Sequence, residues 1–198
     1  MKLLKILICS LLILLFNNSF SKAQSFSTRL GVYQFSDITA SEFYFFAPTL
    51  LCDYDIWRIS QMSLQITTGF SYNQIKYNSH HHYLYMIPVL VSVNYDLPNP
   101  GARIYPVIGV GLTFIDKIDK NKDLQKTYYS LFYGYHITGK IVYKLNGKVN
   151  LTFDLTYNLM IPPSNEELNI NGFIIAAGIN LPIKSDKSKT NSQPEHPR

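Results

Sequence analysis

The strongest constraint on the fold is a two-residue alternation of apolar and polar side chains. In residues 149–161, bulky apolar residues occupy every odd position and polar residues fill most even positions. Side chains along a β-strand point alternately to its two faces, so this pattern predicts a strand with one apolar and one polar face. The predicted apolar face carries Val149, Leu151, Phe153, Leu155, Tyr157, Leu159 and Ile161.

The same alternation recurs along the chain and predicts eight strands. Their starts fall near residues 26, 43, 62, 83, 103, 127, 149 and 170. No stretch after residue 23 is long and apolar enough for a transmembrane helix. Eight is an even number and the smallest known for a bacterial outer-membrane barrel. The sequence therefore predicts an all-β fold, an eight-stranded antiparallel up-and-down transmembrane β-barrel.

The predicted connections differ in length on the two sides of the barrel. Three tight turns lie at 56–60, 98–101 and 146–148. The longer and more polar connections lie at 36–41, 78–82, 116–126 and 162–169. In outer-membrane barrels the short turns are periplasmic and the longer loops are extracellular. We therefore expect both chain ends on the periplasmic side.

The composition of the two faces distinguishes a membrane barrel from a soluble one. The bore of an eight-stranded barrel is narrow and is filled by side chains alone. The polar faces carry small residues that fit this space, among them Gly69, Gly109, Gly111, Gly134 and Gly178. The apolar faces carry Leu, Ile, Phe and Tyr, which would overfill it. We therefore expect the apolar faces to point outward into lipid.

Tyrosines recur at an interval of ten residues on the predicted lipid-facing sides of three strands. The pairs are Tyr44 and Tyr54, Tyr85 and Tyr95, and Tyr133 and Tyr143. Ten residues at ~3.3 Å each, tilted by ~40°, span roughly 25 Å, the height of the lipid-facing band of such barrels. Because tyrosine collects at both membrane interfaces, these six residues are predicted to form an aromatic girdle.

Two consecutive segments carry a family resemblance. The segment 83–90 reads YLYMIPVL, and its aromatic, leucine and proline pattern resembles one strand of small bacterial outer-membrane β-barrel domains. The segment 105–111 reads YPVIGVG and looks like the Pro-x-x-Gly-x-Gly strand that follows in that family. This is the PorT-like group, with barrels shaped like OmpA and OmpX. The resemblance spans roughly residues 26–183 and implies a role such as that of PorT in protein secretion.

The ends of the chain divide it into three parts. Residues 1–23 have a basic start, an apolar run and small residues before Gln24, which predicts a signal peptide cleaved after Ala23 and delivery to the bacterial outer membrane. Residues 24–183 form the predicted barrel, and the polar tail 184–198 is predicted to be disordered. The barrel part carries eleven positive and eleven negative residues, so no basic surface for nucleic acid is expected. Cys52 is its single cysteine and forms no internal disulfide.

Charged residues on the predicted inner faces point to an ion network in the bore. If Asn146-Gly147-Lys148 is a three-residue turn, Leu145 pairs with Val149 and Lys140 falls opposite Asp154. An ion pair there would stabilise the interior, because an unpaired buried charge is costly. Three further residues are predicted to join the network: Arg29, Arg103 and Asp53.

Histidines supply the other candidate sites. The run His80–His82 lies in the predicted second loop, where neighbouring side chains alternate in direction and converge poorly on one metal ion. His136 and Thr138 face inward and faintly resemble the His-x-Ser of outer-membrane lipid A deacylases. The nucleophilic Ser and an orienting Glu are missing from that pattern. We therefore predict no catalytic residue, no metal site and no cofactor.

These features predict a non-enzymatic integral outer-membrane protein that acts through its loops, in envelope structure, adhesion or a secretion apparatus. Its expected partners are outer-membrane lipid and a protein bound through the loops, of which the charged loop 116–126 is one candidate. Two alternatives stay open, an enzyme acting on outer-leaflet lipid and a narrow pore. The sequence does not fix the oligomeric state.

Overall fold

A computed structural model of the chain describes residues 25–77, 80–97, 103–146, 149–164 and 169–182. The predicted signal peptide 1–23 and the predicted tail 184–198 lie outside these residues, as does the cleavage site after Ala23. Within the described ranges, no helix is long and apolar enough to cross a bilayer.

The described chain forms eight antiparallel strands and one short helix. In chain order they are β1 (Ser25–Phe35), α1 (Ile38–Tyr44), β2 (Phe46–Ile59), β3 (Met62–Tyr77), β4 (His80–Asp96), β5 (Ile104–Asn121), β6 (Lys126–Asn146), β7 (Val149–Ile161) and β8 (Gly172–Pro182). Each strand pairs with its sequence neighbours, and β1 pairs with β8, which closes the barrel. The predicted eight-stranded up-and-down barrel is confirmed.

The strands are staggered around the barrel. Following hydrogen-bonded partners from Phe35 leads through Gly172, Asn158, His136, Gly111, Ser92 and Gln65 to Asp55. Asp55 lies beside Ser25, because the preceding Tyr54 pairs with Phe26. One circuit of paired residues around the barrel therefore starts at Phe35 and returns to β1 at Ser25. The stagger of the barrel is the ten residues between these two positions. A stagger of this size tilts the strands by about 40°.

Burial alternates along most of the strand length and follows the predicted faces. On β7, Phe153 is 51% exposed and the next residue, Asp154, is 1% exposed. On β6, the odd residues from Leu131 to Ile141 are exposed and the even residues from Ser130 to Val142 are buried. The bulky apolar side chains therefore point out of the barrel, as predicted, and the narrow bore holds the opposite face.

The connections depart from the predicted loop pattern. Helix α1 begins inside the predicted loop 36–41 and continues to Tyr44. Most of the predicted loop 116–126 is strand, because β5 continues to Asn121 and β6 begins at Lys126. Only residues 122–125 form a turn there. The predicted loop residues His80–His82 are the first residues of β4. Strands β3 to β6 therefore extend past the rest of the barrel as a β-sheet extension on the side opposite the chain ends.

Candidate functional site

Four charged side chains form an ionic cluster in the half of the bore nearest the chain ends. Arg29 on β1 binds the carboxylates of Asp53 on β2 and Asp154 on β7. The Nζ atom of Lys140 on β6 lies 3.8 Å from Oδ2 of Asp53 and donates to Oε1 of Gln65 at 3.3 Å. All four are buried, and their charges balance. Ion pairing offsets the desolvation cost of burying these groups in the bore.

The predicted register of this cluster is correct, but the predicted pairing is not. Lys140 does lie opposite Asp154 on the neighbouring strand. The turn differs from the prediction, because Asn146 pairs with Val149 and Leu145 is the extra residue of a bulge. Asp154 then pairs with Arg29 rather than with Lys140, because the long guanidinium reaches across the bore with two donors on one plane.

A second ionic group lies closer to the mouth at the chain ends. Arg58 donates to Oδ2 of Asp96 at 2.7 Å and to Oδ2 of Asp55 at 3.2 Å. Asp55 also accepts from Nε2 of Gln65 at 2.9 Å, which links this group to the ionic cluster. A polar cavity of about 40 Å³ lies between the two groups, a size that holds water.

Arg103 does not join the network, contrary to the prediction. It is exposed in the turn before β5, and its backbone carbonyl accepts from the amide of Lys144 at 2.7 Å. It precedes the first β5 residue, Ile104, so it lies outside the bore.

The middle of the bore is a hydroxyl and amide layer around His136. The Nε2 atom of His136 lies 2.8 Å from the hydroxyl of Ser92, and Nδ1 lies 2.8 Å from the hydroxyl of Thr113. The Thr113 hydroxyl also donates to Oδ1 of Asn158 at 3.0 Å. Both ring nitrogens of His136 are thus engaged inside the barrel wall, where outer-leaflet lipid does not reach. Nearby, the hydroxyls of Thr138 and Thr156 bond to each other.

The other half of the bore contains a large apolar cluster, which the sequence analysis did not predict, together with a few buried polar groups such as Lys117, whose Nζ lies 5.8 Å from the ring centre of Phe132. We call this cluster the apolar plug. It comprises Tyr33, Phe35, Ala40, Tyr44, Ala47, Leu51, Leu84, Met86, Ile115, Phe132, Met160, Ile170, Ile174 and Ala176. The sequence signal is a run of consecutive apolar residues, which places apolar side chains on both faces of the strand. Residues 84–87 of β4 form such a run. A strand segment that is apolar on both sides is typical of burial on both sides.

Helix α1 covers the plug at the end of the barrel opposite the chain termini. Asp37 is its N-cap, and the Asp37 side chain accepts from the amide of Ala40 at 3.1 Å. At the other end, the Tyr44 hydroxyl donates to Asp119 on β5. The amide nitrogen of the Asn73 side chain on β3 donates to the carbonyl of Phe46 at 2.6 Å. These bonds tie the helix and the start of β2 to the β-sheet extension.

Five of the six predicted girdle residues lie on outward strand faces and Tyr44 does not; their placement at the membrane interfaces stays a prediction. Tyr44 was predicted on an outward face, but it lies in α1 and is 2% exposed. Phe46, at the start of β2, occupies the outward position there. Tyr54 lies on the outward face, yet it is only 8% exposed because it packs edge-on against Phe26.

The other four predicted girdle residues lie on outward faces. Tyr95 and Tyr133 are exposed, and Tyr85 and Tyr143 are half-buried. Tyr85 packs against Tyr72 with ring centres 5.3 Å apart, so Tyr72 joins the same rim. The ten-residue interval therefore links two outward-facing tyrosines on β4 and two on β6. It fails on β2, because Tyr44 belongs to α1 and not to the strand.

The histidine run is described in part, because the side chain of His80 lies outside the described residues. Nδ1 of His82 lies 3.7 Å from Oδ1 of Asp119, and Nε2 lies 3.3 Å from Nδ2 of Asn121. The amide of His81 donates to the carboxylate of Asp123 at 2.7 Å. Across the described ranges, no three His, Cys, Asp or Glu side chains are grouped as metal ligands.

A closed, eight-stranded antiparallel barrel with a filled bore is the fold of small outer-membrane β-barrels. Among solved structures, the chain is similar to Neisserial surface protein A, with a TM-score of 0.61, 18% identity, and coverage of 81% of this chain and 97% of that chain. It is also similar to the outer membrane protein OprG from Pseudomonas aeruginosa, with a TM-score of 0.62, 10% identity, and coverage of 83% and 98%.

The N-terminal β-barrel domain of Pseudomonas aeruginosa OprF is a third similar structure, with a TM-score of 0.53, 11% identity, and coverage of 81% and 98%. No family model and no curated protein sequence matches the chain. The likeness at these identities carries the fold alone. The predicted OmpA/OmpX-like shape is confirmed, and the PorT-like assignment stays a prediction.

Proposed function

We propose that the protein is a non-enzymatic integral barrel of the bacterial outer membrane that acts through its extracellular end. The observation that carries this proposal is the filled bore. The ionic cluster occupies one half, the apolar plug occupies the other, and α1 covers the plug. With the interior occupied and the outer wall facing lipid, the extracellular surface is what stays available to other molecules.

The filled bore argues against the pore alternative. An eight-stranded barrel has little space beyond its own side chains. The polar cavity of about 40 Å³ in the bore is lined by none of the residues of the apolar plug. In planar bilayers we expect a conductance near zero for the folded full-length mature chain. Stable single-channel steps that depend on folded protein would contradict the proposal.

The position of His136 argues against the lipid-enzyme alternative. An enzyme acting on outer-leaflet lipid needs its catalytic groups at the outer wall or at the rim of the barrel. His136 is buried in the bore and is bonded on both ring nitrogens to Ser92 and Thr113. A His136→Gln variant is therefore expected to change stability without changing the acylation pattern of the cell's glycolipid.

The extracellular end offers a surface suited to a protein partner. The tip of the β5–β6 hairpin carries Lys120, Lys122, Asp123 and Lys126, of which the three lysines are exposed. Mixed charge on a rigid hairpin favours specific and reversible contacts. The PorT-like resemblance supports a role in secretion, and adhesion is the second candidate for the same surface.

Two experiments test the proposal in order. A heat-modifiability gel on the chain refolded in lipid tests the barrel, and we expect different migration for boiled and unboiled samples. In cells that lack the protein, complementation with the native chain should restore secretion or surface adhesion. A Lys120→Gln/Lys122→Gln/Lys126→Gln variant should insert normally and fail to restore it. Full complementation by this variant would count against an extracellular site of action at the hairpin tip.

A further inference from the structure

The lipid-facing wall continues above the aromatic girdle on one side of the barrel. On β5 the outward positions after Phe114 are Asp116, Ile118 and Lys120. Ile118 is four residues above Phe114, which at ~3.3 Å each and a tilt of ~40° is roughly 10 Å. Ile118 also pairs directly with Tyr85, a predicted girdle residue, and Lys120 pairs with Tyr83. The outward side chains of the β-sheet extension therefore lie at and just beyond the level of the girdle, where the headgroup layer of the outer leaflet is expected.

These outward side chains form one continuous surface, which we call the upper face. Its members are Tyr83 on β4, Ile118 and Lys120 on β5, and Tyr129 and Leu131 on β6. In the strand register Ile118 pairs with Tyr129, and Lys120 pairs with Tyr83. Side chains at directly paired positions are about 5 Å apart, so the members touch their neighbours. Tyr129 is 51% exposed and Leu131 is 43% exposed.

The upper face is continuous with the lipid-facing wall below it. Tyr85, which stacks against Tyr72 and Phe70 at the girdle, is two residues from Tyr83 on the same side of β4. A lipid whose polar headgroup is small would leave these rings against water. A larger headgroup would cover these rings. Its sugar units would match the tyrosine rings and hydroxyls, and its phosphate would match the lysine at the end of the surface.

We propose that the upper face binds the headgroup of a phosphorylated glycolipid of the outer leaflet. The rings of Tyr83 and Tyr129 pack against the sugar units, and the ammonium of Lys120 binds a phosphate. Asp116, the acidic residue on the same face, is four residues below Lys120, so the phosphate lies at the level of Lys120 and away from that carboxylate. The proposal rests on the outer-membrane placement given above and adds a lipid specificity to it.

The test uses the full mature chain in nanodiscs of phosphatidylcholine mixed with lipopolysaccharide, with native mass spectrometry to count the glycolipid retained per barrel. We expect retention of lipopolysaccharide above its bulk share and lower retention of enzymatically dephosphorylated lipopolysaccharide. Lys120→Gln should weaken retention about fivefold, which corresponds to roughly one lysine at an anionic membrane surface. Tyr129→Ser/Leu131→Ser should weaken it by about tenfold or more.

Two matched variants control for charge and for ring loss. Lys122→Gln removes a charge from the adjacent turn, and Tyr128→Ser removes a ring whose strand position faces the other way. Both should retain glycolipid like the native chain. Each variant is first checked for the heat-modifiable band, so failure of the barrel is separated from failure of lipid binding.

Retention that is equal for the native chain and the upper-face variants would overturn the proposal. Equal retention of the dephosphorylated glycolipid would overturn the assignment of Lys120 to a phosphate. If the upper-face variants lost a dimer mass and kept the glycolipid, the upper face would be a contact between copies of the chain, and the proposal would again be overturned.

Discussion

Arg29 forms an ion pair with Asp154 across a strand that separates them. Arg29 is on β1, Asp154 is on β7, and β8 lies between these strands. The residue of β8 that pairs with Arg29 is Gly178, whose inward side has no side chain. A Cβ atom built there would lie 2.7 Å from Cγ of Arg29. Because Gly178 has no side chain, the Arg29 side chain can pass over β8 and reach Asp154.

The first prediction is that Gly178→Ala displaces Arg29 and destabilises the barrel. The added methyl group would also collide with the carbonyl of Thr28, which is backbone and gives little. Overpacking of this kind costs about 1–3 kcal/mol of unfolding free energy. The measurement is the urea midpoint of the chain folded in lipid vesicles.

Gly139→Ala is the matched control for this substitution. Gly139 is on the outward face of β6, and a Cβ atom there would meet nothing within 4 Å. Its unfolding free energy should stay within about 0.5 kcal/mol of the native value. Equal urea midpoints for the Gly178 and Gly139 variants would show that a side chain at position 178 does not displace Arg29.

The second prediction concerns the charge balance of the ionic cluster. Asp154→Asn removes one of two anions that face Arg29 and Lys140, and it leaves an excess positive charge in the bore. Breaking a buried pair in this way costs about 3 kcal/mol or more. The urea midpoint in lipid should therefore fall strongly, and an unchanged midpoint would mean that the pair does not stabilise the barrel.

A double variant separates charge from packing in this cluster. Arg29→Met/Asp154→Leu removes both charges and keeps apolar volume, and such replacements of buried pairs are often neutral. We expect its midpoint to lie above that of Asp154→Asn alone. Glu42→Gln, an exposed charge change on α1, should leave the midpoint unchanged.

The sequence predicts the local register of this cluster and the inward-facing members Arg29 and Asp53, but it does not predict that Asp154 pairs with Arg29. Lys140 and Asp154 are joined by a hairpin, so counting from the turn brings them together even though the turn itself contains a bulge. Arg29 and Asp154 are far apart in the chain and are brought close by barrel closure. The choice of partner then depends on the stagger of the closed barrel and on Gly178, which no local pattern contains.

The two-residue alternation predicts the lipid-facing wall, but it does not predict the apolar plug. Alternation assigns the bulky apolar residues of one face to lipid, and it treats apolar residues on the other face as interruptions. Phe132, between Ser130 and Gly134 on the inward face of β6, is such an interruption and is fully buried in the plug. The tight core at one end of the bore arises because several such interruptions fall at the same height on different strands.

The third prediction concerns the cap formed by α1. Tyr44→Phe removes the hydroxyl that donates to Asp119 and leaves the ring in the plug. A hydrogen bond to a charged group contributes about 1.5–3 kcal/mol. Its loss should weaken the attachment of α1 to the barrel and leave the hydrogen-bonded sheet intact. We expect faster hydrogen exchange in residues 38–44 and little change in the strand amides. Tyr128→Phe, on an exposed ring, is the control and should leave exchange in α1 unchanged.

The fourth prediction tests the depth of the lipid-facing wall on β7. Leu155 is near the middle of the outward face, and Leu151 is near its end at the chain termini. A lysine at the bilayer midplane costs about 2–4 kcal/mol, and the cost falls to about 0–1 kcal/mol near the interface. The unfolding free energy in lipid should therefore drop more for Leu155→Lys than for Leu151→Lys. Equal losses would contradict the membrane placement.

The fifth prediction uses Cys52, which lies on the outward face of β2 between Leu50 and Tyr54. It is the single cysteine after residue 23. An outward side chain in the lipid-facing band is covered by hydrocarbon, which a charged, membrane-impermeant reagent does not enter. A membrane-impermeant maleimide should therefore fail to label the folded chain in vesicles and should label it fully in urea. A Cys52→Ser/Glu42→Cys chain, with its thiol on exposed α1, should label in the folded state. Rapid labelling of Cys52 in the folded chain would mean that this face of β2 is in contact with water.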